Sequence, residues 1–467
     1  PAAVFEMTIG GRAAAATRHV DLRDPATLEV VASAPMADAV TVDAAVFAAA
    51  GAFPEWAADE AARRAGLAAL GDALLAHADE IAGLLTREMG KPTAYALGEV
   101  KFSGILLKKY AGLAIAEDVI KEDDRVAIRM IRKPLGVMAA ITAWNYPVAL
   151  LAQKIGPGLL AGNTIVVKPS PYAPLTALRI GELARELLPP GVLNVINGGV
   201  DVGRALVEHP LPAKISFTGS TEAGRQVMAS AATTLKRCTL ELGGNDAAVI
   251  LEDVDLARAA KAIFFAAFDN SGQTCIAVKR IYVPRRLHDE FADAFATVMR
   301  SVRMGHGIGE GVGLGPLATR FQREHVAELV EDARSRGATL VQGEMPGLPG
   351  WFHPATLVLG LDDDARLVRE EQFGPAVPLL AYDHIDDAIS RANASQYGLG
   401  ASVWGRDEAA TEAVARRLEA GTAWINTHAV LLPIVPYGGL KQSGMGFEGG
   451  PLAVDGCSAM QVVHRRK

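Results

Sequence analysis

Apolar and polar positions alternate along this chain with two different periods. Between residues 40 and 90, Val42, Val46 and Phe53, then Leu67, Leu70, Leu74 and Leu75, recur near a 3.6-residue period among Ala, Glu and Arg, which predicts amphipathic scaffold helices. Val126 to Arg132 reads Val-Ala-Ile-Arg-Met-Ile-Arg, a strand exposed at alternate positions, of the kind that pairs with something outside its own domain. From 135 to 251 short β-rich runs follow one another at Val137 to Thr142, Thr164 to Lys168, Val192 to Ile196, Lys214 to Phe217, Cys238 to Glu241 and Ala247 to Leu251. Most are separated by helix-like stretches, so a parallel sheet with helices on both faces is predicted. Ligands of such sheets lie at the carboxyl ends of the strands, where Asn145, Lys168, Ser220 and Glu241 fall. A second alternating series from Ile281 to Ile425 predicts a second α/β domain. Pro and Gly cluster at 343 to 354 and 433 to 450, which reads as loop.

The length fits that division. At 467 residues the chain exceeds the ~250 to 300 at which one core stops growing. Half of the residues are hydrophobic and 21% charged, enough to fill more than one core. The net charge of −7 comes from intermixed acids and bases, so no basic stripe offers itself to nucleic acid or anionic lipid. The expected partners are small diffusible molecules. Cys238, Cys275 and Cys457 make an odd count without CxxC spacing, which argues against a disulfide framework or a cysteine zinc site and fits a reducing cytoplasm. The two histidines nearest in sequence are His288 and His306, so no HxH or HExxH face exists and no metal is expected. No secretory h-region and no membrane-length apolar run is present.

Cys275 lies in Asn270-Ser271-Gly272-Gln273-Thr274-Cys275, and Glu241 in Leu240-Glu241-Leu242-Gly243-Gly244. A thiol on a Gly-containing loop can attack, and a carboxylate on a second Gly-rich turn can serve as base. Each run alone is weak, because a lone Cys is more often a small buried hydrophobe. Further runs are Ala143-Trp144-Asn145-Tyr146-Pro147, Lys168-Pro169-Ser170, Phe217-Thr218-Gly219-Ser220, Glu371-Gln372-Phe373-Gly374-Pro375, Pro436-Tyr437-Gly438-Gly439 and Lys441-Gln442-Ser443-Gly444. In this order and spacing, from about residue 20 to about residue 450, the chain resembles the aldehyde dehydrogenase superfamily.

The resemblance implies two doubly wound Rossmann-like α/β domains and a small β oligomerisation arm. Residues 1–111 and 134–243 would bind the cofactor, 244–441 would carry catalysis, and 112–133 with 455–467 would join subunits into a homodimer or homotetramer. Cys275 would attack an aldehyde, giving a thiohemiacetal held by the Asn145 amide and the Cys275 N–H, and Glu241 would activate water against the resulting thioester. Lys154 and Glu448 match a buried pair that relays protons to the base, and an equally open reading is a structural ion pair. Glu241 favours release of a free acid over transfer to CoA, because the CoA-acylating branch lacks this carboxylate. A catalytically retired homologue with a binding role is disfavoured by the joint presence of Cys275, Glu241, Asn145 and Lys168.

Gly219-Ser220-Thr221-Glu222-Ala223-Gly224 follows an apolar strand and opens a helix, whose unpaired N–H groups and dipole suit a pyrophosphate. The resemblance assigns the dinucleotide to Gly219, Ser220 and Gly224, to Gly199 and Gly203, to Ile141, Thr142, Ala143 and Trp144, to Lys168 and Ser170, and to Phe217 and Leu242. Glu371 would hold the nicotinamide ribose and Phe373 would pack on the ring. The alternating glycines from Gly305 to Gly315 follow no clear strand and are expected to form a flexible loop. Many relatives carry Glu after Lys-Pro-Ser; here Pro171 stands instead, so NAD is expected and NADP is admitted. The aldehyde tunnel would be lined by Tyr146, Leu150, Gln153, Asp269, Thr274, Ile276, His428, Leu431 and Tyr437. Gln153 and Asp269 make it polar and no Arg joins them, which points to a hydroxy- or amino-aldehyde and away from a semialdehyde carboxylate.

Overall fold

Two twisted sheets organise the chain, and the apolar runs of the sequence supply their central strands. The computed structural model describes residues 3–467. The first sheet has eight strands in the spatial order Gly444–Met445, Arg237–Glu241, Pro212–Thr218, Val137–Ile141, Thr164–Lys168, Leu193–Val195, Met7–Ile9 and Arg12–Ala14. Its five strands from Arg237–Glu241 to Leu193–Val195 run parallel. Val137–Ile141 and Thr164–Lys168 are buried at every position, which is why they read as continuous apolar runs without alternation. Gly444–Met445 and Met7–Ile9 close the margins antiparallel.

The second sheet has the order Thr339–Gln342, Thr356–Leu359, Ala376–Tyr382, Val278–Pro284, Asp246–Ile250, Gly400–Trp404 and Thr422–Ile425. All pairings are parallel except the first. The run at Ala247, grouped by sequence with the first series, belongs here: Asp246–Ile250 pairs with Val278–Pro284 and Gly400–Trp404. An apolar run specifies a buried strand but not which sheet receives it, and the Gly243-Gly244 turn carries the chain across.

The helical region resolves into Ala39–Ala58, Glu60–Ala76, Ala78–Met89 and Thr93–Gly112, with Val42, Val46, Leu67, Leu70 and Leu74 buried as their periodicity predicts. Val126–Pro134 pairs along nine residues with the C-terminal strand Ser458–Arg466 and on its other edge with Asp118–Glu122. Val119, Ile120, Val462 and Val463 stay exposed on this arm. The glycine run is less free than expected, because Arg303–Met304 just before it pairs with Val312–Leu314 within it. No helix among the described residues is long and apolar enough to cross a membrane.

Candidate active site

The two sheets face a common cleft with opposite ends. The first presents the carboxyl ends of its strands: Glu241 ends Arg237–Glu241, Thr218 ends Pro212–Thr218, Lys168 ends Thr164–Lys168, and Thr142 follows Val137–Ile141. The second presents segments that precede its strands. Cys275 lies just before Val278–Pro284, Glu371 and Phe373 before Ala376–Tyr382, and Gly243 and Gly244 before Asp246–Ile250. Cys275, Asn145, Glu371, Phe373, Leu242, Gly219 and Ser220 all line one cavity of about 370 Å³.

Cys275 is part-exposed at the end of a turn in which Asn270, Ser271 and Gly272 have φ of 52°, 55° and 76°. Such backbone costs roughly 1–3 kcal/mol at a non-glycine residue and persists where neighbours enforce it. Here they do: Asn270 Nδ2 donates to the Asn145 carbonyl at 3.0 Å and Asn145 Nδ2 donates to the Gln273 carbonyl at 3.0 Å. The Asn145 amide keeps a second N–H for an oxyanion. Burial, with Glu241, Asp246 and Glu371 nearby, pushes the Cys275 thiol up to about 12, and Lys279 opposes them. Glu241 is 3% exposed and neither carboxyl oxygen has a hydrogen-bond partner. Burial, and then the Glu448 charge, hold this carboxyl well above the usual carboxylate range, with Lys154 pulling the other way. A buried carboxyl without partners is costly unless it is protonated or serves a ligand or water.

Lys154 and Glu448 form a buried pair at 2.8 Å, braced by Ser216 at 3.1 Å from Lys154 Nζ and 3.2 Å from Glu448 Oε1. Their charges act on Glu241 although neither hydrogen-bonds to it, so a relay would need an intervening water, while their mutual pairing also suits a structural role.

A second cavity of about 510 Å³ continues along the first sheet, and both are lined by Ala143, Trp144, Gly219 and Ser220. Ile141, Thr142, Lys168, Ser170, Pro171, Gly199, Gly203 and Phe217 line it as well. A dinucleotide fits these residues on two observations. The helix Thr221–Ala232 opens at Ser220 with its N-terminus toward the cleft, and the hydroxyls of Thr142 and Thr218 lie buried there without partners. Burial pulls the Lys168 ammonium down to about 8, with Asp201 opposing; Nζ donates to the Pro169 and Gly198 carbonyls at 2.8 and 2.9 Å. Gly224 is buried in the helix, and a Cβ there would sit 2.4 Å from Leu242 Cδ2, so the glycine lets Leu242 reach the cavity wall. Trp144 and Phe373 meet edge to face across the cleft at 5.4 Å.

On the tunnel side, Tyr146 OH donates to Asp269 Oδ2 at 2.6 Å and lies 3.2 Å from Thr274 Oγ1. Tyr437 OH donates to Gln153 Oε1 at 2.9 Å, and Tyr437 is shifted upward first by burial and then by Glu241, Glu448 and Cys275. Leu431 packs with Ile276 and Cys275, and Leu150 is buried on the helix Pro147–Leu160. His428 is the clear correction. Its side chain is fully enclosed, with Nδ1 2.8 Å from Ser402 Oγ and Nε2 2.8 Å from the Ile276 carbonyl; it supports the backbone behind the thiol and presents no surface to a tunnel.

Several residues in the site escaped the sequence reading. Lys91 and Glu99 form a fully buried pair; Lys91 Nζ donates to the Asn145 carbonyl at 3.0 Å and sits 3.4 Å over the Tyr146 ring, and Glu99 Oε1 accepts from the Val148 and Ala149 N–H groups. Their spacing carries no signal for this. Lys279, in a strand buried at every position, did have one: a cation inside an apolar run requires a built partner set. Arg204, Tyr172 and His325 also line the cleft.

Known proteins are similar to this chain in sequence and fold. The chain is 37% identical to the Escherichia coli succinate-semialdehyde dehydrogenase [NADP(+)] GabD, covering 93% of this chain and 92% of that protein. It is 38% identical to phenylacetaldehyde dehydrogenase of Pseudomonas fluorescens, with coverages of 96% and 93%. The solved NAD+ complex of aldehyde dehydrogenase from Bacillus cereus superposes with a TM-score of 0.96 at 35% identity, covering 99% of this chain and 97% of that one. Because the profile of the aldehyde dehydrogenase family also matches residues 12–463, the chain belongs to that family and is an oxidoreductase acting on aldehydes.

Proposed function

We propose that the protein oxidises a hydroxy- or amino-aldehyde to the free acid through a thioester on Cys275. The observation that carries this reading is a strained thiol loop and an amide with a spare donor on one cavity, with a buried carboxyl without partners, Glu241, near enough for its charge to act on the thiol. A bound nicotinamide dinucleotide supplies the acceptor for the carbon-bound hydrogen and its electron pair. Cys275 Sγ bonds to the carbonyl carbon, and the growing charge on oxygen is met by Asn145 Nδ2–H and the Cys275 N–H. Such a donor is worth roughly 2.7–4 kcal/mol. Loss of the hydrogen leaves a thioester. Glu241 then takes a proton from water, the hydroxide adds to the acyl carbon, and the C–S bond breaks to release the acid. In this reading Lys154 and Glu448, whose charges act on Glu241 without touching it, take up that proton through an intervening water.

The tunnel supports a polar substrate. Five relatives are named for succinate or glutarate semialdehyde, which carries a carboxylate at its far end, but here Asp269 stands beside Tyr146 and Thr274, and no Arg or Lys is among the lining candidates. A carboxylate brought there meets like charge. NAD is the expected cofactor in this reading and NADP is admitted: Pro171 stands where a ribose-site carboxylate would exclude a 2′-phosphate, and Lys168 and Arg204 line the same cleft. The same reading keeps 1–111 with 134–243 as the cofactor domain and 244–441 as the catalytic one. It has the arm of 112–133 and 455–467 join subunits in a cytoplasmic homodimer or homotetramer.

The test is formation of NADH or NADPH with a panel of hydroxy-, amino-, carboxy- and alkyl-aldehydes, with and without CoA, together with identification of the product. Free hydroxy or amino acid formed without CoA is the expected result. An acyl-CoA product, or no turnover with any aldehyde, would overturn the mechanism, and preference for a carboxy-aldehyde would overturn the substrate class alone.

A further inference from the structure

Lys279 is 2% exposed, inside the strand Val278–Pro284, and a lysine there must find partners for its ammonium. It finds them on the nucleophile loop. Nζ donates to the Cys275 carbonyl at 2.6 Å and to the Thr274 carbonyl at 2.9 Å, with the Ala277 carbonyl at 3.5 Å. Its one carboxylate neighbour is Glu371 Oε1 at 3.5 Å, and Glu371 also accepts from the Gly244 N–H at 3.0 Å. The ammonium therefore stands between the residue that carries the thiol and the carboxylate assigned to the ribose. The ionisable groups acting on Cys275 are Lys279, Glu241, Asp246 and Glu371, with the Tyr437 phenol close by. Among the described residues, Lys279 is the cation of this set.

We propose that Lys279 is a positioning residue of the nucleophile: clamped on the Thr274 and Cys275 carbonyls, it fixes the loop and supplies the positive charge that favours the thiolate, and Glu371 tempers that charge as counter-ion. This role deepens the reading in which Cys275 is the nucleophile. The deprotonation it favours releases the Sγ proton to water or to Glu241 and leaves the electron pair on sulfur. Only the thiolate alkylates at a useful rate, so the role has a readout that needs neither aldehyde nor cofactor.

The experiment is alkylation of the full-length protein by iodoacetamide, a neutral reagent, over pH 7 to 10, with modification at Cys275 followed by mass spectrometry. In the unaltered protein the logarithm of the rate should climb with pH. Lys279→Gln, which keeps N–H donors but loses the charge, should lower that line by about ten-fold at every pH, the equivalent of one pKa unit; Lys279→Arg should restore most of it. Glu371→Gln should raise the line. These opposite displacements are what a merely structural residue does not give. If Lys279→Gln folds and leaves the line in place, or if Glu371→Gln lowers it, the proposal is overturned. Should neither Lys279 variant fold, the sign of the Glu371→Gln displacement decides: a raised line supports the role, and an unmoved or lowered one sinks it. If alkylation of Cys275 leaves aldehyde oxidation intact, the nucleophile reading itself fails, whatever the Lys279 variants do.

Discussion

The two sheets meet the cleft by opposite edges, and the residues on those edges differ in kind. The carboxyl edge of the first sheet offers Lys168, Thr142, Thr218 and Glu241: buried polar side chains, three of which have atoms without a partner. The amino edge of the second offers Cys275 and Glu371 on segments tied down by hydrogen bonds to Asn145, Gly244 and Lys279. Buried oxygens without partners occur on the second edge too, at Asn245, Asp246, Asn270 and Gln372, so the difference lies in what each edge presents: hydroxyls and a carboxyl open to ligand and water on the first, and a thiol loop held by its own hydrogen bonds, as an attacking atom requires, on the second. The carboxyl-edge rule for α/β sheets thus describes half of the site, and the chemistry depends on the half that it does not describe.

If that division is right, the largest effect belongs to the amino edge. Cys275→Ser should abolish aldehyde oxidation by at least about 10⁴-fold, while dinucleotide affinity, measured by fluorescence titration, stays within about two-fold because the carboxyl edge is untouched. A serine variant that turns over normally would remove the comparison altogether. On the opposite edge, Glu241→Gln should cost about 10²–10⁴-fold in steady turnover, the range of a general base, yet leave a first burst of reduced cofactor of one per site. The raised pKa of Glu241 fixes the sign of its pH dependence. Protonated below that value, it cannot take a proton from water, so turnover of the unaltered enzyme rises with pH through this range and the variant loses that rise. Stopped-flow records at several pH values check both points.

How legible each edge was follows from the same contrast. The strands of the first sheet, and Lys168 and Glu241 at their ends, follow from apolar runs and their punctuation, because a fully buried parallel strand has few other ways to be written. Cys275 precedes its strand on a left-handed turn, and periodicity is silent there; only the resemblance of its motif to a family found it. His428 was misplaced for a related reason: Ala429 and Leu431 beside it pack on the same small apolar cluster as Cys275, but the ring turns inward to Ser402 and the Ile276 carbonyl. Lys91 and Glu99 were missed because their link to the Asn145 loop joins segments far apart in the chain, which no local pattern records. The grouping of the Ala247 run failed because sheet membership is decided by tertiary packing.

A smaller effect sharpens the description of the carboxyl edge. Pro171→Glu places a carboxylate in the cavity that holds Lys168, Ser170 and Arg204. It should weaken NADP about ten-fold relative to NAD, the order of one like-charge contact partly screened by solvent. Lys168 supplies an independent check, since its ammonium is pulled down to about 8. It is cationic below that value and neutral above, so any advantage that it gives a 2′-phosphate is present at pH 7 and fades as pH rises through about 8. NAD, which lacks that phosphate, should show little of this trend. Parallel titrations of the two dinucleotides between pH 6.5 and 9.5 would show whether this lysine discriminates at all.

The smallest effect concerns the wall between the two edges. Asp269 precedes the left-handed turn and accepts from the Tyr146 hydroxyl, so in the proposed function the polarity facing the substrate is shared between the Cys275 loop and the Asn145 loop. Asp269→Phe removes the charge but leaves Tyr146 OH with Thr274 Oγ1 at 3.2 Å as a partner, so the phenol is not orphaned and the loop has no reason to collapse. A hydrophobic wall discriminates only by roughly 1–3 kcal/mol per methylene. The variant should therefore move kcat/KM toward alkyl and aryl aldehydes by about ten-fold and away from amino-aldehydes by a similar factor, with kcat for the preferred substrate changed little. An unchanged ranking across the panel would mean that the Asp269 carboxylate serves only to hold Tyr146. Specificity would then have to reside in Gln153 and Tyr437, whose mutual hydrogen bond at 2.9 Å is the other polar feature of the tunnel.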